Sequence, residues 1–412
     1  MAPARTVGRV FSPLDEELAL LPGTLAPRQQ GHLVQLGSWM PFRHASRVLE
    51  ELLGVSVSPE TARRLCEEVG KQVEEKQTLD AKRPWEEEAN ALENPSRLAI
   101  SADGAMVPLT GGEWAEVRTL AIGEVPVGSA DLEKVHVGAL SYFSRLTDAA
   151  HFTDLAEVET RRRHLIQAKA VCAVMDGADW LQAFVDIHRS DAVRILDFPH
   201  AAEHLNQLLD ALSVGGRVFP ARMLERCLHL LKHRGPDALA RLADRLTEDE
   251  INREDVREHL SYLRKRLSLM RYPTFRHAGW PIGSGLVESA NKLVVEARLK
   301  GTGMRWERTN VNPMLALRNG VCNERWQETW QVASNQRRHL LIQRRHKRSA
   351  QRQEAEAEAL KHVPLEPPPP LSPLAPLLPP DPPAMLPGTS RPSAHHPWKR
   401  GPSCAPSQFA KR

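Results

Sequence analysis

Cysteine is scarce and scattered in this chain. Cys66, Cys172, Cys227, Cys322 and Cys404 lie far apart with no Cys-x-x-Cys pair, which excludes a zinc ribbon or a disulfide framework and fits a reducing cytoplasm. Aromatic residues make up only 5% of the chain, too few for the aromatic-lined cleft that a two-carboxylate glycosidase uses. No apolar run nears the ~20 residues of a membrane helix, and residues 1–17 lack the apolar core of a signal peptide. No membrane partner is therefore expected.

What is present is a chain of 412 residues, 41% hydrophobic, enough for two or three domains and at least one sizeable core. The net charge of +4 conceals an uneven distribution. Residues 298–352 carry thirteen Lys and Arg against three Glu, a net of +10, so the remainder is acidic by six. A polyanionic partner is expected near this stretch, or else an ordinary solvated helix face. From residue 364 onward lie sixteen of the chain's 32 prolines, a composition that forms no packed core and reads as a disordered, partly polyproline tail.

Near the N-terminus, residues 41–70 read as two helices. Gly54 stops the first, and Ser58-Pro59 caps the second with proline in its first turn. This is the pattern of a helix-turn-helix, with Arg63 and Arg64 facing a groove or phosphates and Ala62, Leu65 and Val69 facing inward. Residues 97–103 form a strand ending at Asp103, with further strands at 116–122 and 134–142 and a helix at 153–168. Residues 170–177 and 192–197 are two more apolar strands, ending at Asp176 and Asp197, with a helix at 178–188 between them. A mixed α/β sheet that gathers carboxylates at one edge follows. After His200 the chain is nearly all helical. A loop at 280–285 then leads into a helix carrying Glu288 in its first turn, with Leu286, Ala290, Leu293, Val294 and Ala297 as its apolar stripe.

Asp103, Asp176 and Glu288 are the carboxylates singled out. Two aspartates at adjacent strand ends and a glutamate on a helix entering the same edge supply the hard oxygen ligands of a two-metal phosphoryl-transfer site. Each Asp-Gly alone is an ordinary turn signal, and the combination carries the assignment.

These residues sit in motifs that resemble DDE-type transposases of bacterial insertion sequences, nearest the ISKra group. The motifs are Ile100-Ser101-Ala102-Asp103-Gly104-Ala105, Val174-Met175-Asp176-Gly177-Ala178-Asp179-Trp180 and Ile195-Leu196-Asp197-Phe198-Pro199-His200, then Gly283-Ser284-Gly285-Leu286-Val287-Glu288-Ser289 and Arg298-Leu299-Lys300-Gly301-Thr302-Gly303-Met304-Arg305-Trp306. The resemblance spans residues 13–330. It implies an RNase H-like mixed sheet with an all-helical insertion before the glutamate, and DNA strand cleavage and transfer at element ends. It also implies two Mg²⁺, replaceable by Mn²⁺, on Asp103, Asp176 and Glu288. Asp197 and His200 match a recurrent Asp-x-x-His pattern that supports the metal site or orients a water or phosphate.

The expected organisation is a helical N-terminal region at 1–90, the first part of the catalytic core at 91–205, the insertion at 206–278, the rest of the core at 279–335, a basic helix at 336–362 and the tail at 363–412. The expected partner is double-stranded DNA, bound by a homo-oligomer at the nucleoid, with contacts from Arg63, Arg64, Arg298, Lys300, Arg305, Trp306, Arg344, Arg345, Lys347 and Arg348. Trp280, beside Arg264, Lys265, Arg266 and Arg271, is expected either to stack on a displaced base or to anchor the following loop. Family members extend further at the N-terminus with a zinc-binding segment, and nothing before Cys66 supplies its ligands, so a truncated copy that only binds DNA stays open. So does an RNase H-like nuclease or resolvase, against which the helical insertion argues.

Overall fold

The computed structural model describes residues 25–83, 94–127 and 135–361. The chain divides into two compact units, 1–350 and 351–412. In the second, the described residues are helical through Lys361, with Arg352 paired to Glu356 at 2.9 Å. The proline-rich tail and the expected strand start at Lys134 lie outside the described residues.

Alternation of apolar residues produces a five-stranded mixed sheet: β1 (Arg97–Pro108), β2 (Trp114–Glu124), β3 (Gly138–Arg145), β4 (Ala170–Met175) and β5 (Val193–Leu196), in the order β3-β2-β1-β4-β5. β1 pairs antiparallel with β2 and parallel with β4, and β4 pairs parallel with β5. The expected break at Gly104 does not occur. β1 continues to Pro108, and the glycine instead makes room for the Glu116 side chain, whose Oε1 would lie 2.3 Å from an added Cβ.

Three N-terminal helices, α1 (Pro27–Trp39), α2 (Phe42–Leu53) and α3 (Pro59–Ala81), enclose Leu33, Ala45, Leu49 and Ala62. Gly54, at φ 65°, ends α2 as expected, and the Ser58 Oγ accepts the Thr61 N–H at 3.1 Å to begin α3. Gly70 does not end α3. A Cβ there would meet the Pro313 carbonyl oxygen at 2.4 Å, so the glycine permits a close crossing with α13 (Arg308–Cys322). This crossing packs α3 into the body against one face of the sheet, where Val69, Val73, Val107, Val117, Val294 and Leu315 share a core.

The other face is covered by α4 (Ala149–Arg162) and α5 (Asp179–Arg189) around Ile100, Phe143, Phe152 and Phe184. α6 (Phe198–Val214) and the helices α7 (Met223–Arg234), α8 (Asp237–Ala243), α9 (Glu248–Asn252), α10 (Glu254–Lys265) and α11 (Tyr272–His277) form the expected helical segment. Their apolar stripes do not close on themselves alone. Leu231, Leu260 and Leu263 join Val174, Ile195 and Leu196 of β4 and β5 in one core. α12 (Gly285–Ala290) continues through a π-helical segment, Asn291–Glu296, and the short turn Ala297–Leu299; α14 spans Trp326–Lys361.

His188 of α5 gives the fold a pH dependence. Its buried ring lies 4.4 Å from Phe184, with Nε2 3.0 Å from the Thr153 carbonyl oxygen, and burial holds its pKa below the usual histidine value. The folded state therefore binds this proton less well than the unfolded state. Its contribution to stability is complete above the unfolded pKa of about 6.5 and is lost as pH falls below it. His188→Gln keeps a donor for Thr153 but does not titrate, so the stability advantage of wild type over the variant should shrink between about pH 7.5 and about pH 5.5. Melting curves showing the same difference at both pH values would remove His188 from this role.

Candidate active site

β1 carries Asp103 past the end of its parallel pairing with β4, which covers Arg97–Ile100 against Ala170–Ala173, and β4 delivers Asp176 one residue beyond Met175. The two aspartates thus meet on neighbouring strands at one edge. The Asp103 carboxylate accepts the Gly104 N–H at 2.7 Å and the Asn291 Nδ2–H at 3.1 Å. Burial raises its pKa above the usual carboxylate value against the Gly104 hydrogen bond, and the Asp176 charge raises it further. The Asp176 Oδ1 accepts the Ala178 N–H at 2.8 Å, at the start of α5.

Asp197, fully buried at the end of β5, is the hub of this edge. Its Oδ2 accepts the His200 N–H at 3.1 Å and lies 2.6 Å from the His200 Nδ1, while its Oδ1 accepts the Ser284 N–H. The same carboxylate therefore caps α6, orients the imidazole and ties down the loop that opens α12. The hydrogen bond to Asp197 raises the His200 pKa above the usual histidine value, with the charges of Asp197, Asp176 and Asp103 adding to it, so protonation of this ring is favoured beside the aspartate pair.

Glu288 is placed differently. It is exposed, with the Ser284 Oγ 3.4 Å from its Oε1. Among the described residues no group of three or more His, Cys, Asp or Glu side chains gathers where it could hold a metal. The aspartates come together, and the glutamate lies outside them, joined through the Asp197–Ser284 link and through Asn291 one turn along its helix.

Sequence reasoning missed Asn291 and Tyr262 here and gave Arg266 a different place, beside Trp280. Asn291 follows Glu288 by three positions, a spacing that would have revealed it. Tyr262 and Arg266 of the helical segment clamp the second aspartate's peptide, the Tyr262 O–H donating to the Asp176 carbonyl and Arg266 donating twice to that of Gly177, at 2.9 and 2.6 Å. The Arg266 guanidinium also lies 3.9 Å above the Tyr262 ring. No sequence pattern signals a contact between residues 86 apart. His204 stacks on Tyr262 at 3.6 Å, as a packing residue, and Asp186 pairs with Arg194.

A divalent cation fits these donors. Two carboxylate oxygen sets on adjacent strands suit a hard cation, and a positive charge there would relieve the repulsion that raises the Asp103 pKa. The Asn291 Oδ1 beside them is buried without a hydrogen-bond partner.

Several expected DNA contacts are committed elsewhere. Trp280 is 6% exposed, with the Arg97 guanidinium 3.8 Å from its ring centroid, so it anchors the loop and is not available to a base. Arg298 is 1% exposed, donates to the Gly37 carbonyl at 2.9 Å and lies between Phe42 and Trp306; burial pulls its pKa down to about 10. Trp306 is 7% exposed and donates to the Leu299 carbonyl at 3.2 Å. Both build the interior because their polar ends find backbone carbonyls there. Lys300 pairs with Glu296 at 2.7 Å and Arg305 is exposed. Arg63 is held by Glu60 and Glu67, whereas Arg64 is exposed and 3.5 Å from Glu60. Arg344, Arg345, Lys347 and Arg348 lie exposed along α14.

No family model matches the chain. No curated protein matches it at a significant level either. Among the described residues no helix is long and apolar enough to cross a membrane.

Proposed function

We propose that the chain is a DDE-type transposase with an RNase H-like core, cleaving and joining DNA strands with divalent cations. The observation that carries this reading is the β3-β2-β1-β4-β5 order, with Asp103 on the central strand and Asp176 just past its parallel neighbour, close enough for its charge to raise the Asp103 pKa. Asp103 and Asp176 are the residues to hold Mg²⁺ or Mn²⁺, with Glu288 as the third carboxylate of the assignment. A bound divalent cation supplies Lewis-acid stabilisation of charge building on the attacked phosphate and its leaving oxygen.

The chain's own residues set the stage for this chemistry. Asp197 fixes the His200 ring beside the aspartates and raises its pKa, which favours a proton there when a phosphate enters. Tyr262 and Arg266 hold the peptide that carries Asp176, giving the helical segment a part in aligning the second aspartate. The exposed Glu288 also favours a second reading, a DNA-binding derivative without cleavage activity. Incubation of the protein with DNA spanning both flanks of its own gene, with Mg²⁺ or with chelator, separates the two. The transposase reading expects cation-dependent breaks at defined positions, and intact DNA under both conditions would favour the derivative.

The exposed cations of α14 are assigned to phosphate contacts. Neutralising Arg344, Arg345, Lys347 and Arg348 to Gln should weaken binding to every DNA sequence and reduce the slope of log affinity against log salt by about 1 per residue. A change in sequence preference at unchanged slope would instead make them base readers.

A further inference from the structure

The π-helical segment Asn291–Glu296 inserts an extra residue into the helix after Glu288 and turns Asn291 inward, where it is 6% exposed. π-helical turns are rare and recur at functional sites. The carbonyls of Leu293 and Val294 in this segment are taken up by the buried Arg318, which donates to both, to Val294 at 3.1 Å, and to the Ser38 carbonyl at 3.0 Å. A fully buried arginine thus supports a segment whose own backbone ladder is irregular. The one side chain in that segment touching a carboxylate is Asn291.

The orientation of the Asn291 amide follows from chemistry. An ionised carboxylate only accepts hydrogen bonds, so the group 3.1 Å from the Asp103 Oδ2 is the NH₂. The Oδ1 therefore lies on the other side of the same amide, buried and without a donor. A buried carbonyl oxygen left unpaired is destabilising, so it stands in want of a partner. On the same amide that touches the Asp103 carboxylate, a neutral oxygen with free lone pairs is a donor of the kind a hard metal ion takes.

We propose that Asn291 is a further metal-binding residue of this site, its Nδ2 orienting Asp103 and its Oδ1 binding the divalent cation that Asp103 and Asp176 hold. The inference rests on the metal-dependent reading above and goes beyond it by adding a neutral donor that the three-carboxylate assignment lacks. The same side chain would then give the helix bearing Glu288 a foothold on the cation.

The test is Mn²⁺ binding to the full-length protein without DNA, followed by the loss of the free-ion paramagnetic resonance signal. Asn291→Leu removes both amide functions at similar volume and should weaken Mn²⁺ binding by about 10-fold or more. Asn291→Asp loses the donor to Asp103 but keeps an oxygen at the same place, and should bind Mn²⁺ at least as tightly as wild type. Wild-type affinity in Asn291→Leu would overturn the proposal, and so would equal weakening in both variants, which would reduce Asn291 to a hydrogen-bond donor for Asp103. Circular dichroism identifies a variant that fails to fold, in which case the other decides. Asp103→Asn controls for the underlying reading: if it binds Mn²⁺ as wild type does, the metal site itself is misassigned, whatever the Asn291 variants do.

Discussion

Asp176→Asn should abolish cation-dependent strand cleavage, a fall of about 10³-fold or roughly 4 kcal/mol in barrier, while DNA affinity stays within about twofold. The asparagine keeps an Oδ1 to accept the Ala178 N–H, so the start of α5 is preserved and only the charge is lost. That charge belongs to the pair that couples to Asp103, and one carboxylate holds a divalent cation far more weakly than two. Asp103→Asn should match it, whereas the exposed cations of α14, proposed to contact phosphate, lie on another element and should continue to bind DNA. Gel-shift and cleavage assays on the same DNA check both halves. Substantial cleavage by Asp176→Asn would sink the assignment.

Asp197→Ala is the substitution with the largest expected cost to stability, about 3–5 kcal/mol. The fully buried carboxylate satisfies the Ser284 N–H, the His200 N–H and the His200 ring at once, and its removal leaves the buried Ser284 N–H unpaired and unties the partly exposed His200. It also faces a ring whose pKa is raised chiefly by this hydrogen bond, so the His200 pKa should fall in the same variant. Urea denaturation and the chemical shifts of the His200 ring measure the two effects separately. A stability loss below about 1 kcal/mol would mean that water replaces the carboxylate.

The sheet was legible because its strands are apolar runs; two of them, β4 and β5, lead straight into Asp176 and Asp197, whereas β1 runs through Asp103 to Pro108. Glycines were harder to read. Gly54 stops a helix through its positive φ, while Gly104 and Gly70 sit inside elements because a neighbour leaves no space for a Cβ, which only tertiary structure reveals. The stripe drawn at 3.6-residue spacing from Leu286 holds at Ala290 and Val294 but fails at Leu293 and Ala297. The π-helical segment leaves Leu293 and Ala297 exposed and buries Asn291 and Val295 instead.

Charge counting misled in a similar way. Arg298 and Arg318 belong to the basic stretch 298–352 yet lie buried against backbone carbonyls, so the cations left for a polyanion concentrate on α14. Trp280 and Trp306 have the composition of a nucleic-acid surface and the burial of a core. Residue type alone does not tell a guanidinium paired with carbonyls from one waiting for phosphate.

The central claim is that Asp103 and Asp176 hold one divalent cation between neighbouring strands. Replacing that cation with Fe²⁺ in the presence of ascorbate and peroxide generates hydroxyl radicals that cut the polypeptide beside the metal, so the sites of backbone cleavage report where the metal sits without requiring a DNA substrate. Fragments ending near Asp103 and near Asp176, suppressed by excess Mg²⁺ and absent from Asp103→Asn, are the expected result. Cleavage that maps elsewhere, or that persists unchanged in Asp103→Asn, would contradict it.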